Sequence, residues 1–422
     1  MLQNLPTAFF ALIPCFLTLK LMYLQEEYST IEKSMLREPK IIEKECEKRP
    51  VEPIEVDAKS EANTKLIWET MYKHPDDENI RGRPFSGLEH YGHILQEYLD
   101  VPAFAVEANS NKDDPNASAK GGNVNPQLVT AISSIHFEDF KYSIPKVFEK
   151  FGDKSLVGDR VIVYDLGLEL EQLKYFANLT KVELRKFNYS KYPEQTKWLP
   201  SKIFQIMIIK DCLMEFKSCL WFDSNFHFTK NADDLVQRYV YGRKSSFVYF
   251  AKPFTHTPAW ATHPFMYGYL PTNITKHVVS NNYVMGHAGG ILLVNTEDFK
   301  QNFMRFAIAC ALTPECMMPN YPLNEHRMPW GTKFNPYGDF EYRHCDKKNQ
   351  PGRPYNCHKF NHSLWMILVS NAYSYSTQKF RAASDDFIGY IDESKTVKEV
   401  ETPPWQLVQA LDYKDHRIFF RK

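Results

Sequence analysis

The stretch from Asp223 to Asn225 combines residue types that can hold a charged ligand. It follows an apolar run, residues 218–222, that is typical of a buried strand. Asp223 offers a carboxylate and Asn225 a carbonyl oxygen, and hard ions such as Mg²⁺ and Mn²⁺ prefer these oxygen ligands. Because such an ion neutralises phosphate charge, a metal-assisted diphosphate site is one interpretation of these residues. The alternative from these residues alone is a strand-ending aspartate followed by an asparagine turn.

Polar residues also follow other predicted strands. Strands are predicted at 128–132, 160–164 and 182–189, and they alternate with predicted helices at 139–151 and 200–216. This alternation indicates an α/β domain with a mainly parallel sheet and helices on both faces. Ligands of such sheets bind beyond the carboxyl ends of the strands. The polar residues at those ends are Ser133, Ser134, His136, Asp165 and Asp223.

The overall composition fits one large globular domain with additional segments. The chain has 422 residues, of which 43% are hydrophobic, so a sizeable core is expected. Lysine and arginine together number 51, as do aspartate and glutamate. This neutrality argues against nucleic acid as a partner, because nucleic-acid binders usually carry a basic surface.

The N-terminal segment is apolar and has no charged side chain before Lys20. Residues 5–24 supply roughly the twenty residues that span a bilayer. We predict an uncleaved signal-anchor, and a cleaved signal peptide is the alternative. The predicted parts are the anchor helix at 1–24, a stem and linker at 25–127, the main domain at 128–380 and a C-terminal extension at 381–422.

Sequons and cysteines favour a lumenal location for the main domain. Asn-x-Ser/Thr sequons, which are candidates for glycosylation, occur at Asn116, Asn178, Asn188, Asn273 and Asn361. We therefore predict a single-pass type II protein of the Golgi or endoplasmic reticulum membrane. The rival interpretation is a cell-surface or secreted adhesion protein, for which the sequons and cysteines are sufficient.

Eight cysteines are present, six of them in the predicted globular part. An even number in an oxidising compartment indicates disulfides, although connectivity does not follow from sequence. Our preferred pairs are Cys310–Cys316 and Cys345–Cys357. A zinc site at 344–345 and 357–358 is the alternative for the second pair. Cys46, in the stem, would suit a disulfide-linked homodimer or remain a free thiol.

The order of several longer motifs resembles a known family. The motifs are SSIHF, VIVYDLGL, RKFNYSKYP, SKIFQIMIIKDCLMEF, LWFDSN, AGGILLVNT, CALTPEC and CHKFNHSLWMILVSN, between residues 128 and 380. This series resembles a nematode-expanded family of uncharacterised type II membrane, glycosyltransferase-like proteins that carry a domain of unknown function. That domain is similar to the GT-A fold of nucleotide-diphospho-sugar transferases. The resemblance implies transfer of a hexose-type sugar from a nucleotide-sugar donor to a glycan or glycoprotein acceptor.

The resemblance also implies roles for individual residues. Asp223 matches the first acid of an Asp-x-Asp metal motif, and Asn225 stands at the second acidic place. Lys202 matches a lysine that opens the long helix, where it would face phosphate. Gly289 and Gly290 would let backbone approach the donor sugar or acceptor. The residues that would line the nucleotide pocket are Ser134, His136 and Asp165.

The sequence departs from the family pattern before the late helix. Asp-Gln-Ser is usual there, whereas Asn361, His362 and Ser363 stand in this chain. His362 would replace the lost carboxylate as general base or metal ligand. Together with Asn225 this departure leaves open a pseudo-enzyme that binds sugar without turnover. The other candidate bases are Glu297, Asp298, Asp339 and Glu341, and the candidate sugar-stacking aromatics are Trp260, Phe265, Tyr267 and Tyr269.

Overall fold

The computed structural model describes residues 58–74, 76–104, 125–150, 160–242, 245–254, 256–279, 284–318, 358–386, 388–390, 411–412 and 417–418. The predicted anchor at 1–24, Cys46, Asn116, Asp339, Glu341, Cys345 and Cys357 lie outside these residues. Within the described part, no helix is both long enough and apolar enough to cross a membrane.

The described strands form one large sheet and three short pairs. They are β1 Lys73–His74, β2 Asp77–Arg81, β3 Gln127–Ile132, β4 Val161–Asp165, β5 Val182–Lys186, β6 Ser218–Phe222, β7 Phe226–His227, β8 Phe247–Tyr249, β9 Gly290–Val294, β10 Gly389–Tyr390, β11 Leu411–Asp412 and β12 Arg417–Ile418. The large sheet has the order β5-β4-β3-β6-β9-β8. Strands β5, β4, β3 and β6 are parallel, whereas β9 runs antiparallel to both β6 and β8.

Helices flank this sheet. They are α1 Ala58–Glu69, α2 Leu88–Asp100, α3 Phe137–Phe148, α4 Leu170–Phe176, α5 Ile203–Phe216, α6 Ala232–Val236, α7 Pro264–Tyr269, α8 Ile274–Val279, α9 Glu297–Phe299, α10 Arg305–Leu312, α11 Pro314–Met317, α12 Phe360–Ala372 and α13 Thr377–Phe380. Wider π-turns continue α6 over Gln237–Gly242 and α9 over Lys300–Met304. The predicted α/β class with a parallel-rich central sheet is confirmed.

The two faces of the sheet bury different side chains, because neighbouring strand residues point to opposite sides. Val129, Trp221 and Leu293 belong to one core with the apolar residues of α5, α10 and α12. Their neighbours Leu128, Leu220 and Leu292 belong to a second core with α3 and α6. Continuous burial of β3, β6 and β9 on both faces explains why these strands read as unbroken apolar runs.

The folded unit extends beyond the predicted limits of the main domain at both ends. Before residue 128, α2 packs against α10, and the Tyr98 hydroxyl lies 2.5 Å from Asn295 Oδ1. After residue 380, β10 pairs with β7, and the buried Asp386 carboxylate binds Lys230 and Arg238. The apolar face of α2 is buried by this packing, so residues 88–100 pack on the main domain.

Candidate functional site

The carboxyl edge of the parallel strands brings Asp223 and Lys202 together. Asp223 directly follows β6, and its Oδ2 lies 2.5 Å from Lys202 Nζ. Its Oδ1 accepts a hydrogen bond from the indole Nε1 of Trp221 at 3.1 Å. Because α5 runs back along the sheet before β6 begins, the start of α5 lies at the end of β6. The sequence order helix-then-strand therefore places the lysine opposite the aspartate.

Lys202 occupies a backbone conformation that L-residues rarely adopt. Its φ is 54° and ψ 27°, in the left-handed region, at the residue that precedes α5. Phe360, the first residue of α12, also has a positive φ, 35°. Both residues open helices that contribute side chains to this edge of the sheet. Such conformations cost free energy and concentrate at functional sites.

The Lys202–Asp223 pair is only partly accessible. The side chains are 29% and 13% exposed, respectively. Burial by itself would raise the pKa of the Asp223 carboxyl. The Lys202 ammonium, His287 and the Trp221 hydrogen bond together outweigh burial and hold this pKa below its usual range. Asp223 is therefore ionised at neutral pH.

The glycines before β9 meet the same edge through backbone contacts. The Asp223 N–H donates to the Gly289 carbonyl at 2.7 Å. A Cβ on Gly289 would lie 2.5 Å from the Phe226 ring, and one on Gly290 would lie 2.2 Å from Ile388. The prediction that these glycines admit a donor sugar or acceptor is not supported, because side chains of the protein fill the space that their missing Cβ atoms leave.

His287 lies beside this turn. Its Nδ1 accepts a hydrogen bond from the Gly289 N–H at 3.0 Å, so the neutral ring carries its proton on Nε2. Its ring stacks on Phe254 at 4.6 Å between centroids and meets the His362 ring edge-on at 4.7 Å. Burial lowers the pKa of His287 to about 3, although the Asp223 charge opposes this shift.

The start of α12 contributes Asn361 and His362. Asn361 is 2% exposed and His362 7% exposed. The two side chains are joined by a hydrogen bond of 2.7 Å between His362 Nδ1 and Asn361 Oδ1. Burial, followed by the charges of neighbouring cationic groups, lowers the pKa of His362 well below its usual value. His362 is therefore neutral at physiological pH and suited to accept a hydrogen bond.

Phe254 joins a third histidine and a second lysine to the cluster. The His256 ring stacks on Phe254 at 5.1 Å, and Lys359 Nζ lies 4.8 Å from the centroid of the same ring. Burial, with a contribution from the Lys359 charge, lowers the pKa of His256 to about 4. We call this group of residues the site cluster: Lys202, Asp223, Phe254, His256, His287, Lys359, Asn361 and His362.

The residues predicted to bind a divalent metal do not fit that role in this arrangement. One oxygen of Asp223 is paired with an ammonium group and the other with an indole N–H. Asn225 follows in the turn and is partly buried. Among the described residues, no group of three or more His, Cys, Asp or Glu side chains is arranged so that it could hold a metal ion. Asp223 would have to exchange Lys202 for a metal before it could serve as a ligand.

The predicted nucleotide-pocket residues lie at the same edge but on neighbouring strands. Asp165 Oδ1 accepts hydrogen bonds from the backbone N–H groups of Gly167 and Leu168, both at 2.7 Å. Ser134 Oγ lies 3.4 Å from Glu169, and the exposed His136 lies 3.4 Å from Asp139. Parallel pairing of β3 with β4 and β6 brings these residues to the edge where Asp223 lies. Asp165 in addition shapes the turn after β4.

Several other predicted residues have structural roles. Tyr267 and Tyr269 are buried in the core, whereas Phe265 is exposed and lies under Arg83. Glu297 and Asp298 begin α9 after β9, which runs antiparallel, so they lie at the opposite edge from Asp223. The prediction that either carboxylate is the catalytic base is wrong on this geometry.

The sequons and cysteines differ in outcome. Asn178 and Asn188 are exposed, and Asn273 is partly buried. Glycosylation of Asn361 is contradicted, because its amide nitrogen is buried and donates to Gln205. The predicted Cys310–Cys316 disulfide is present and closes the turn between α10 and α11. Cys212 and Cys219 are buried free thiols.

Sequence reasoning missed His256, His287, Lys359 and Gln205. Gln205 and Lys359 lie inside two of the listed motifs, and His256 and His287 lie outside them, but no local spacing connects the four residues. The AGG turn offered one signal, since His287 directly precedes it. The others become neighbours only when the loop before β9 and the start of α12 pack on α5.

The architecture defines a mixed α/β protein with a parallel-rich sheet and a polar cluster at its carboxyl edge. The family described as "Protein of unknown function (DUF1647)" matches residues 58–210, from α1 into α5. This match agrees with the predicted resemblance to a family that carries a domain of unknown function. No curated protein matches the chain.

Solved structures of glycosyltransferases match the chain at low identity and with low TM-scores. A galactosyltransferase, LgtC, in complex with donor and acceptor sugar analogues is 12% identical over 44% of this chain and 70% of its own, with a TM-score of 0.29. The mannosyltransferase Ktr4p of S. cerevisiae in complex with GDP is 11% identical over 60% and 78%, with a TM-score of 0.30. Mouse xyloside xylosyltransferase 1 is 7% identical over 62% and 85%, with a TM-score of 0.36.

Proposed function

We propose that this chain is a GT-A-like glycosyltransferase that transfers a sugar from a nucleoside-diphosphate donor to a hydroxyl of a glycan or glycoprotein. The observation that carries the proposal is the Lys202–Asp223 pair, at 2.5 Å, at the carboxyl edge of the parallel strands. Ligands of open α/β sheets bind at this edge. The proposal extends to a lumenal site in the Golgi or endoplasmic reticulum, held by the predicted N-terminal anchor.

The charges of the site cluster suit a diphosphate. Lys202 and Lys359 carry positive charge, Asp223 carries one negative charge, and the three histidines are neutral at pH 7. The excess positive charge attracts the anionic donor. Lys202, released in part from Asp223, would donate to a phosphate oxygen and stabilise the charge that grows there as the bond to the sugar breaks.

Transfer requires one bond to form and one to break. The acceptor oxygen bonds to the anomeric carbon, the bond from that carbon to the phosphate oxygen breaks, and its electron pair remains on the nucleoside diphosphate. The proton of the acceptor hydroxyl passes to a phosphate oxygen of the departing nucleoside diphosphate, which balances the step. Participation of Mn²⁺ or Mg²⁺ stays a prediction, and Lys202 supplies the positive charge in the arrangement described here.

Calorimetric titration of the full-length protein with UDP and with GDP tests the proposal. We expect one of these nucleotides to bind, and we expect Lys202→Ala to weaken that binding about tenfold or more, since charge-assisted hydrogen bonds are the strong ones. Lys230→Ala is the matched control, because Lys230 forms a comparable pair with Asp386 outside the site cluster. Failure of folded protein to bind either nucleotide, with or without Mn²⁺, would contradict the proposal.

A pseudo-enzyme that retains donor binding is the second candidate. It is favoured by the replacement of two expected acids by Asn225 and Asn361, the latter held in a buried hydrogen bond. Release of free sugar from UDP-sugars or GDP-sugars separates the two candidates. Slow donor hydrolysis that is lost in Lys202→Ala supports an enzyme, whereas binding without any turnover supports the pseudo-enzyme.

A further inference from the structure

A chain of hydrogen bonds links the backbone before β9 to His362. It begins at the Ala288 carbonyl, which can only accept a hydrogen bond. Gln205, on the first turn of α5, lies with its Nε2 at 2.7 Å from that oxygen. The amide nitrogen of Gln205 must therefore face Ala288, because its carbonyl oxygen could not donate. This contact fixes the orientation of the Gln205 amide.

The orientation is passed to the next two side chains. With its nitrogen on Ala288, Gln205 presents Oε1 to Asn361, whose Nδ2 lies 2.5 Å away and donates. Asn361 then presents Oδ1 to His362 Nδ1 at 2.7 Å. Since Oδ1 only accepts, the proton of the neutral imidazole must reside on Nδ1. The lone pair of His362 consequently lies on Nε2.

The Nε2 atom of His362 is buried and finds no hydrogen-bond partner anywhere in the part of the chain that is described. Buried polar atoms are nearly always paired, so an orphaned acceptor calls for a donor from outside the protein. The ring packs against His287 and Phe254 in the site cluster. Lys202 lies near enough for its charge to act on the His362 ring, so the ring is a neighbour of the Lys202–Asp223 pair. His362 Nε2 thus needs a neutral O–H or N–H donor on a bound ligand.

We infer that Gln205 and Asn361 are positioning residues that fix the His362 ring in its Nδ1–H form, so that Nε2 accepts a hydrogen bond from a hydroxyl of the donor sugar. This inference rests on the proposed function, and it adds the group that recognises the sugar as distinct from the diphosphate. Lys202 would contribute to binding of the nucleotide alone, whereas His362 would contribute only when the sugar is attached. Measurements of nucleotide binding and of nucleotide-sugar binding therefore test the proposed function and this inference separately.

The tautomer can be measured without any ligand. Two-bond ¹H–¹⁵N spectra of the full-length protein with ¹⁵N-labelled histidine distinguish Nδ1–H from Nε2–H rings, and the His362 signals are those missing in His362→Gln. We expect the Nδ1–H pattern at pH 7 in the wild type and a mixture of tautomers in Gln205→Leu. Gln195→Leu is the matched control, because Gln195 is also buried but takes no part in this series of hydrogen bonds. An Nε2–H ring in the wild type would overturn the inference.

Asn361→Asp gives a second test with a side chain of nearly the same size, which can no longer donate to Gln205. The carboxylate still accepts from Nδ1, so the Nδ1–H tautomer persists, and its charge favours the imidazolium. We expect His362 to protonate at higher pH in this variant than in the wild type. An unshifted titration in folded Asn361→Asp would show that residue 361 does not control the ring.

Binding of sugar nucleotides tests the ligand side of the inference. The probes are UDP, GDP, UDP-glucose, UDP-galactose, UDP-N-acetylglucosamine and GDP-mannose. We expect His362→Phe, which keeps an aromatic ring, to lower affinity for the preferred nucleotide sugar about tenfold and to leave affinity for the free nucleotide unchanged. Equal effects on both, or none, would overturn the inference while leaving nucleotide binding intact. Absence of nucleotide binding would instead contradict the proposed function.

Discussion

At the scale of residues, the Asp223 carboxylate contacts the Lys202 ammonium, whereas the sequence predicted that it would bind a metal. The resemblance assigned Asp223 and Lys202 to phosphate chemistry separately, and the structure joins them at 2.5 Å. Residues 21 positions apart on different elements cannot be paired by local pattern. The Asn361–His362 pair was singled out in sequence, but the Gln205 that orients it was not, because its amide acts through tertiary contacts.

Lys202→Met should destabilise the protein by about 3 kcal/mol at pH 7, since it leaves the Asp223 charge partly buried without its partner. In the wild type the depressed pKa of Asp223 adds stability above pH 4, and this stability is lost as pH falls through the folded-state pKa. In the variant, the Lys202 charge no longer opposes the effect of burial, and the pKa of the Asp223 carboxyl rises above its usual range. The destabilisation of Lys202→Met relative to the wild type should therefore be smaller at pH 5 than at pH 7. Urea unfolding at both pH values measures it.

Lys230→Met serves as the control for this prediction. Asp386 keeps Arg238 at 2.6 Å and the Tyr239 hydroxyl at 2.8 Å when Lys230 is lost. Its destabilisation should be smaller and should not shrink between pH 7 and pH 5. A loss in Lys202→Met that is constant across this range would show that Asp223 is not held ionised by Lys202.

At the scale of elements, the turn before β9 packs tightly against neighbouring side chains. Ala288, Gly289 and Gly290 were predicted to admit a ligand, but Phe226 of β7 and Ile388 fill the space beside the two glycines. These neighbours come from later and earlier elements, so the sequence around the turn could not show them. The turn still serves the site, because its backbone bonds to Asp223 and Gln205.

Gly289→Ala should destabilise the fold by about 1 to 3 kcal/mol, because the new methyl group would overlap the Phe226 ring at 2.5 Å. Thermal unfolding followed by circular dichroism measures this change. Gly242→Ala is the matched control, since its added Cβ would have only the Gln237 carbonyl nearby, at 3.4 Å. Equal melting temperatures for Gly289→Ala and the wild type would mean that the turn can open to receive a ligand.

At the scale of the whole molecule, neutral histidines make the fold sensitive to acid. Burial is the leading cause that lowers the pKa of seven histidines. The pKa falls to about 4 for His256 and His263 and to about 3 for His277, His287 and His358, and it is also lowered for His227 and His362. Below pH 6.5 these side chains take up protons in the unfolded chain before they do so in the folded one. Acid therefore favours unfolding.

We expect the free energy of unfolding to be fully retained above pH 6.5 and to fall steadily between pH 6.5 and pH 4. Each neutral buried histidine contributes up to about 1.4 kcal/mol per pH unit in this window. Urea unfolding at half-unit pH steps measures the slope. His277→Phe should reduce the slope, because it removes one such group from the core. A stability that is flat from pH 7 to pH 5 would contradict this account.

The sequence by itself determined the fold class, the succession of the central strands along the chain and the arrival of Asp223 at a strand end. Apolar runs that are buried on both faces leave a strong local pattern, and parallel strands with intervening helices place their carboxyl ends together. The Cys310–Cys316 pair, six residues apart, was also within reach of sequence.

Only the tertiary structure decided what each site residue faces. It paired Asp223 with Lys202, filled the space beside Gly289 and Gly290, buried Asn361 away from any glycan, and moved Glu297 and Asp298 to the far edge through the antiparallel course of β9. Side-chain partners at this site come from elements far apart in the chain. Their chemistry depends on distance and burial, which the spacing of residues along one strand or helix does not specify.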